Sequence, residues 1–519
     1  MPKGKYDPPR FTSILFLSPA DRIGEDGRKA PEFFADLNCD QIVDAITAGK
    51  DEYDLQPFFH ACLSHAEAIE YRHEVMQDLE HGPLYERVSA FAARMREVRE
   101  HLAQTGKMHY QEQKEAWFLH GVDVYCEIIK SFAAELGESD LRSRGFLAFR
   151  DYLHAYARSA PFNFMHAQAQ QLKADLAAIE YCVLVKGSGF TVQRYDAEAD
   201  YSAEVEDTFD KFKQGAAKDY RVKFSVSAEM NHIEAKILEF VAKLYPDVFI
   251  PLAEFCASNK NFIDQTVAVF DREIQFYLAY LEYIAPLRRG GLPFCYPSVS
   301  ETGDDVHDYD GFDVALAHKL LKANSSVVRN DFHLKGPERV IVVSGPNQGG
   351  KTTFARAFGQ VHYLANIGCP VPGRDARLLL FDRLFTHFEK EERVENLRGK
   401  LEDDLLRIHG ILGQATPRSI IILNEIFTST TIQDETLLSG KVMQQIAGLG
   451  LPCVWVTFVD ELAGFGPQVV SMVSTVEPDN PALRTFKILR RPADGLAYAT
   501  AIARKYELTY ETIRQRIGS

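Results

Sequence analysis

The stretch VIVVSGPNQGGKTTFARAFGQ, residues 340–360, limits what this chain can fold into more than any other. Val340 to Val343 form an apolar, largely β-branched run, as a buried strand requires. Gly345, Gly350, Lys351 and Thr352 then satisfy G-x-x-x-x-G-K-[ST], and Phe354, Phe358, Val361 and Ala365 follow at helical spacing. A strand, a glycine-rich turn and a helix in this order make a phosphate cradle. Glycines let main-chain N–H groups turn inward, and the helix N-terminus adds positive partial charge. The turn Gly345, Pro346, Asn347, Gln348, Gly349 and Gly350, with Lys351, Thr352 and Thr353, is the expected nucleotide-binding segment. Lys351 would reach the β- and γ-phosphates and the Thr352 hydroxyl would hold Mg²⁺. No N-K-x-D guanine-reading motif follows, so the expected nucleotide is ATP.

Such a turn needs an acidic partner at the end of another buried strand. SIIILNEIFTSTT, residues 419–431, offers Asn424 and Glu425. Asn424 stands where an Asp normally helps hold Mg²⁺, and its amide oxygen would act through a metal-bound water. Glu425 is the expected catalytic carboxylate, orienting the attacking water.

The rest of the chain is read around that pair. Residues 1–40 are rich in Pro and charge and read as irregular. Residues 41–325 are mostly helical: a core and lever domain with a β-containing insert near 180–227. There EYCVLVKGSGFTVQRY reads as two strands about a Gly-Ser-Gly turn, and YRVKFSVS alternates apolar and polar residues. Residues 326–519 alternate apolar runs with helical patterns, which predicts an α/β domain with a largely parallel sheet covered on both faces. The expected fold is therefore multidomain. The formal net charge of -15 excludes an overall basic field for nucleic acid. The eight cysteines form no C-x-x-C pair, so no zinc site is expected, and no apolar run is long enough for a membrane span. These features predict a cytoplasmic protein.

GPNQGGKTTFARAFGQVHYLANIGCPVPGRDARLLLFDRLFTHF resembles the ATPase domain of MutS-type DNA mismatch repair proteins. The resemblance continues through LNEIFTSTTIQDETLLSGKVMQQI and into the C-terminal ADGLAYATAIARKYELTYETIRQR, and it extends more weakly upstream to about residue 40. It implies ATP and Mg²⁺ as cofactors, a homodimer through the ATPase domains, a C-terminal helical dimerisation element, and DNA as a possible partner. It also implies that Gly399 and Lys400 open a helix reaching the partner's γ-phosphate, that Ser429, Thr430 and Asp434 lie on the loop crossing the dimer interface, and that Phe332 lies near the adenine, where it either stacks on the base or fills core. Asp434 reads alternatively as the N-cap of the following helix. Three positions depart from the family pattern: Asn424 replaces an Asp, Gly399 a Ser and Phe458 a His. They imply slow turnover with nucleotide binding intact. No room precedes residue 40 for the family's mismatch-reading and connector domains. Residues 180–227, where its DNA clamp would fall, carry nine acidic against seven basic side chains. The expected function is a DNA-binding ATPase of repair or recombination acting on structures other than simple mismatches. The alternative is a nucleotide-gated scaffold with weak or no hydrolysis and no DNA binding.

Overall fold

The computed structural model describes residues 11–21, 28–187, 189–196, 230–302, 304–389, 399–477, 480–493 and 510–517. The alternating stretch 220–227 and the C-terminal stretch 494–509 lie outside them. The chain divides into two units that are discontinuous in sequence. One comprises Met1–Phe11, Gly82–Leu141 and Leu147–Asp271; the other comprises Thr12–His81, Arg142–Phe146 and Arg272–Ser519.

The first unit is helical. Leu84–Lys107 and Gln111–Gly137 are its longest helices, followed by Ala160–Ala177, His232–Leu244 and Pro246–Ser258. Phe91 stacks on Phe132 at 4.2 Å between ring centroids, and Phe149 on Phe270 at 3.5 Å. Stacked aromatic pairs of this kind bury large apolar areas at fixed geometry. Strands β1 (Tyr181–Lys186) and β2 (Gly189–Arg194) form an antiparallel hairpin. Asn231 caps His232–Leu244 in a capping box with Glu234.

The second unit holds the glycine-rich turn. Strands β3 (Phe294–Cys295) and β8 (Val371–Pro372) pair with each other. Strands β4 (Ser298–Ser300), β5 (Asp305–Gly311), β6 (Asn330–Lys335) and β9 (Asp375–Leu379) form a four-stranded sheet. The six-stranded sheet joins β7 (Val340–Ser344), β10 (Leu384–Phe388), β11 (Ile420–Asn424), β12 (Cys453–Val456), β13 (Val469–Glu477) and β14 (Asn480–Arg490). Its order is β10-β11-β12-β7-β13-β14, parallel except for β14. The run ARLLLFDRLF thus feeds two different sheets, β9 and then β10. Every residue of β7, β11 and β12 is buried because helices cover both faces. Val340, Val342, Ile421, Leu423 and Trp455 pack with Ile411, Val442 and Met443 on one face. On the other, the helix Lys351–Asn366 comes so close that a Cβ on Gly359 would stand 2.8 Å from Ile422 Cδ1 and 2.5 Å from Leu37 Cδ1.

That contact brings in the N-terminal segment, which is built into this unit. The Ser13 hydroxyl donates to Glu273 at 2.6 Å, and Ile14 N–H donates to the same oxygen at 3.0 Å. Thr386 of β10 donates to the Asp36 carboxylate at 2.7 Å and Arg407 at 3.3 Å. Arg72 is fully buried; its Nε donates to the Leu15 carbonyl (3.1 Å), its Nη1 to the Ile367 carbonyl (2.8 Å), and its guanidinium lies 4.9 Å from the Phe276 ring centroid. Among the described residues no helix is long and apolar enough to cross a membrane, and no cluster of three His, Cys, Asp or Glu side chains is placed to hold a metal ion.

Candidate functional site

The central strand β7 ends at Ser344, and the chain enters the turn through Gly345 at φ +115°. A Cβ there would lie 3.0 Å from the Ser474 carbonyl of β13, so a left-handed, closely packed position needs glycine. Ser474 Oγ also donates to the Gly349 carbonyl at 2.6 Å, fixing the far side of the turn. Gly350, left-handed, opens the helix Lys351–Asn366. The turn therefore sits at the carboxyl end of a middle strand, with a helix N-terminus aimed into it, where open α/β sheets bind ligands.

Lys351 is 4% exposed. Its ammonium donates to the carbonyls of Gly345 (3.1 Å) and Pro346 (3.2 Å), lies 3.8 Å from Glu425 Oε1, and sits 4.4 Å from the centroid of the Phe458 ring. Burial lowers its pKa, Glu425 opposes the fall and Arg484 adds to it. Thr352 Oγ1 donates to Asn424 Oδ1 at 2.9 Å. Glu425 follows directly, at φ +56°, with its N–H bonded to the Val456 carbonyl at 2.9 Å. Burial raises its pKa, Lys351 opposes that rise, and Glu389 adds to it. Lys351, Thr352, Asn424 and Glu425 are thus brought together across 72 residues of sequence.

A cavity of about 550 Å³ opens beside the turn, a volume suited to a nucleotide-sized ligand. Gln348, Gly349, Gly350, Lys351, Thr352, Thr353 and Glu425 line one end. Leu316, Leu320, Val327, Val328 and Phe486 give the other an apolar lining. Phe332 is not part of it. It is buried on β6 with its ring 4.7 Å from Phe358, so of its two expected roles the structure gives it the core one. Phe486 takes the cavity position instead, held at φ +59° on β14, with its carbonyl accepting from Asn330 Nδ2 at 3.2 Å. Arg484, on the same strand, donates to the Asn347 carbonyl at 3.2 Å.

The residues expected to face a partner lie outside the cavity. Gly399 is the N-cap of Lys400–Gln414, and Lys400 pairs with Glu389. Ser429 is exposed and Thr430 half-buried. The N-cap of Ile432–Leu449 is Thr431, whose Oγ1 accepts from Asp434 N–H at 3.2 Å. Asp434 is consequently the third helical residue and accepts from the Thr431 hydroxyl at 3.0 Å. A threonine three places earlier outcompetes Asp as the cap because its oxygen reaches that N–H.

The donor set fits a phosphate chain with a hard cation: a buried ammonium, main-chain N–H groups at a helix start, and hydroxyl, amide and carboxylate oxygens. Fold and site together define an α/β domain with a glycine-rich turn and a helix N-terminus at the carboxyl edge of a mostly parallel sheet. Residues 341–511 match the family model of MutS domain V. The DNA mismatch repair protein MutS of Thermotoga maritima is 24% identical over 287 residues, 54% of this chain and 34% of that protein. Endonuclease MutS2 of Gemmatimonas aurantiaca is 28% identical over 199 residues, 38% of this chain and 24% of that protein. The MutS of Rickettsia typhi is 31% identical over 144 residues, 28% of this chain and 16% of that protein. The chain thus matches about a third or less of the length of these relatives. On these matches the chain is similar to MutS-family proteins, and the similarity is carried by domain V.

Proposed function

We propose that the chain binds ATP with Mg²⁺ at a P-loop formed by residues 345–352 and hydrolyses it slowly. In this reading it is a homodimeric, DNA-associated ATPase of repair or recombination acting on structures other than simple mismatches. The observation that carries the nucleotide reading is the buried Lys351 at the mouth of the turn, within 3.8 Å of Glu425. Lys351 exchanges its carbonyl partners for the β- and γ-phosphates, while turn N–H groups hold the remaining oxygens. The Thr352 hydroxyl would hold the metal directly and Asn424 would act through a metal-bound water, while Glu425 aligns the attacking water and accepts its proton. Bound Mg²⁺ neutralises charge on the phosphates. Because burial raises the Glu425 pKa, turnover is expected to fall on the acid side at a higher pH than an ordinary glutamate would give. A pH–rate profile checks this.

Asn424→Asp is expected to strengthen Mg²⁺ dependence. A carboxylate in place of the amide adds a unit charge near a dication, worth about 1–2 kcal/mol once solvent compensates, or roughly tenfold in metal affinity. Turnover titrated with Mg²⁺ reads the change, and an unmoved midpoint removes Asn424 from the metal site.

The scaffold reading draws on Phe458, whose ring lies on Lys351 where a titratable side chain would sense the γ-phosphate. Two measurements separate the readings: ATP turnover with and without duplex, branched and single-stranded DNA, and DNA affinity at near-physiological salt. Affinity weaker than about 10⁻⁵ M for every form, with turnover indifferent to DNA, leaves the scaffold.

A further inference from the structure

The loop bearing Glu425 has an unusual tie to a neighbouring helix. Glu425 and Phe427 both hold left-handed φ, +56° and +63°, conformations that side-chain-bearing residues keep only when their surroundings impose them. The Phe427 side chain is fully buried. Its N–H donates to Asp404 Oδ2 at 3.3 Å, and the other oxygen of that carboxylate accepts from His387 Nε2 at 2.8 Å. Asp404 is 8% exposed and His387 5%. Asp404 stands one turn inside Lys400–Gln414, and His387 stands on β10 beside Leu423 of β11. A buried carboxylate therefore joins a helix, an edge strand and the strained turn. A second link lies at the surface: Glu389, just past β10, accepts from Lys400 at the start of the same helix and from Thr428 Oγ1 at 3.2 Å.

We propose that Asp404 is a positioning residue for hydrolysis: its carboxylate keeps the turn after β11 in the one geometry that presents Glu425 to the nucleotide, and ties that geometry to the placement of helix Lys400–Gln414. This rests on the nucleotide reading above. It adds that movement of this helix changes turnover while nucleotide affinity stays put, because Asp404 touches neither the cavity nor the glycine-rich turn. A carboxylate only accepts, so His387 donates to it from Nε2, and its Nδ1 is a buried atom without a hydrogen-bond partner. The imidazole is thereby fixed as a donor to the carboxylate.

The experiment uses the full chain with ATP and Mg²⁺, measuring kcat by phosphate release and Kd by calorimetry for the parent, Asp404→Asn and Asp404→Ala. A catalytic group displaced by about 1 Å loses on the order of hundredfold in rate. Asp404→Ala is accordingly expected to lower kcat about hundredfold with Kd within about twofold. Asp404→Asn can still accept from Phe427 but loses the charge that holds His387, and about a tenfold loss is expected. If the alanine variant does not fold, the asparagine variant decides alone. Unchanged kcat, or kcat and affinity falling together, overturns the inference. Parent chain that binds ATP without turning it over overturns the inference and leaves the nucleotide reading intact. Absence of ATP binding in the parent overturns the nucleotide reading itself.

Discussion

Lys351→Ala is expected to lose ATP affinity by about 10²–10³-fold, because removing one partner of a buried charge pair costs roughly 3–4 kcal/mol. The ammonium already sits at the turn, desolvated and held by the Gly345 and Pro346 carbonyls. Its desolvation is part of the folded state, so little reorganisation remains when phosphate oxygens replace those carbonyls. Alanine leaves the turn N–H groups and the helix terminus, which alone favour an anion only modestly. Calorimetry with ATP and Mg²⁺ reads the loss directly. If millimolar ATP shifts the melting temperature of the variant as far as that of the parent, the phosphate chain does not sit on Lys351.

The second large effect lies far from the turn. Arg72→Met keeps the aliphatic stem over Phe276 and removes the donors to Leu15 and Ile367. Two buried carbonyls then lack partners at about 1–3 kcal/mol each, so destabilisation of about 3–5 kcal/mol is expected. For a unit of this size that lowers the melting temperature by roughly 10 °C. Burial of a guanidinium is itself costly, and apolar replacement of a whole ion pair is often neutral. Arg72 is different because the acceptors of its Nε and Nη1, the Leu15 and Ile367 carbonyls, are main-chain oxygens that no substitution removes. A melt within about 2 °C of the parent would mean that water reaches both carbonyls.

The glycine-rich turn was legible because its chemistry is local. Strand, glycines, Lys351 and helix are contiguous, and β-branched runs marked β7, β11 and β12. Asn424 and Glu425 were found for the same reason, at the end of an apolar strand. The apolar end of the cavity was less visible. Phe486 reaches it through a register shift in the β13–β14 pair and a left-handed residue, neither of which has a residue-type signature. Asp404 and His387 lie 17 residues apart, on a helix and a strand, and meet only through tertiary packing. The sequence left Phe332 open between stacking on the base and filling core, and β6 turns it into the core against Phe358. Thr431 as the cap follows a T-x-x-D spacing that is legible once helix start and side-chain reach are considered together. The interleaving of the two units left no mark in composition: residues 1–40 read as irregular and 41–81 as part of the helical core, yet Ser13 and Asp36 answer to Glu273 and Thr386.

That interleaving sets a timetable for synthesis. Asp36 leaves the ribosome 350 residues before Thr386, an interval of roughly 20–70 s at ordinary elongation rates. Throughout it Phe33, Phe34 and Leu37, fully packed in the finished molecule, have no completed sheet to cover them. The intervening residues 82–141 and 147–271 belong to the other unit and are free to condense first. The nascent chain therefore carries a sticky amino-terminal stretch for most of its production, and chaperone shielding there would govern yield more than the stability of the mature sheet.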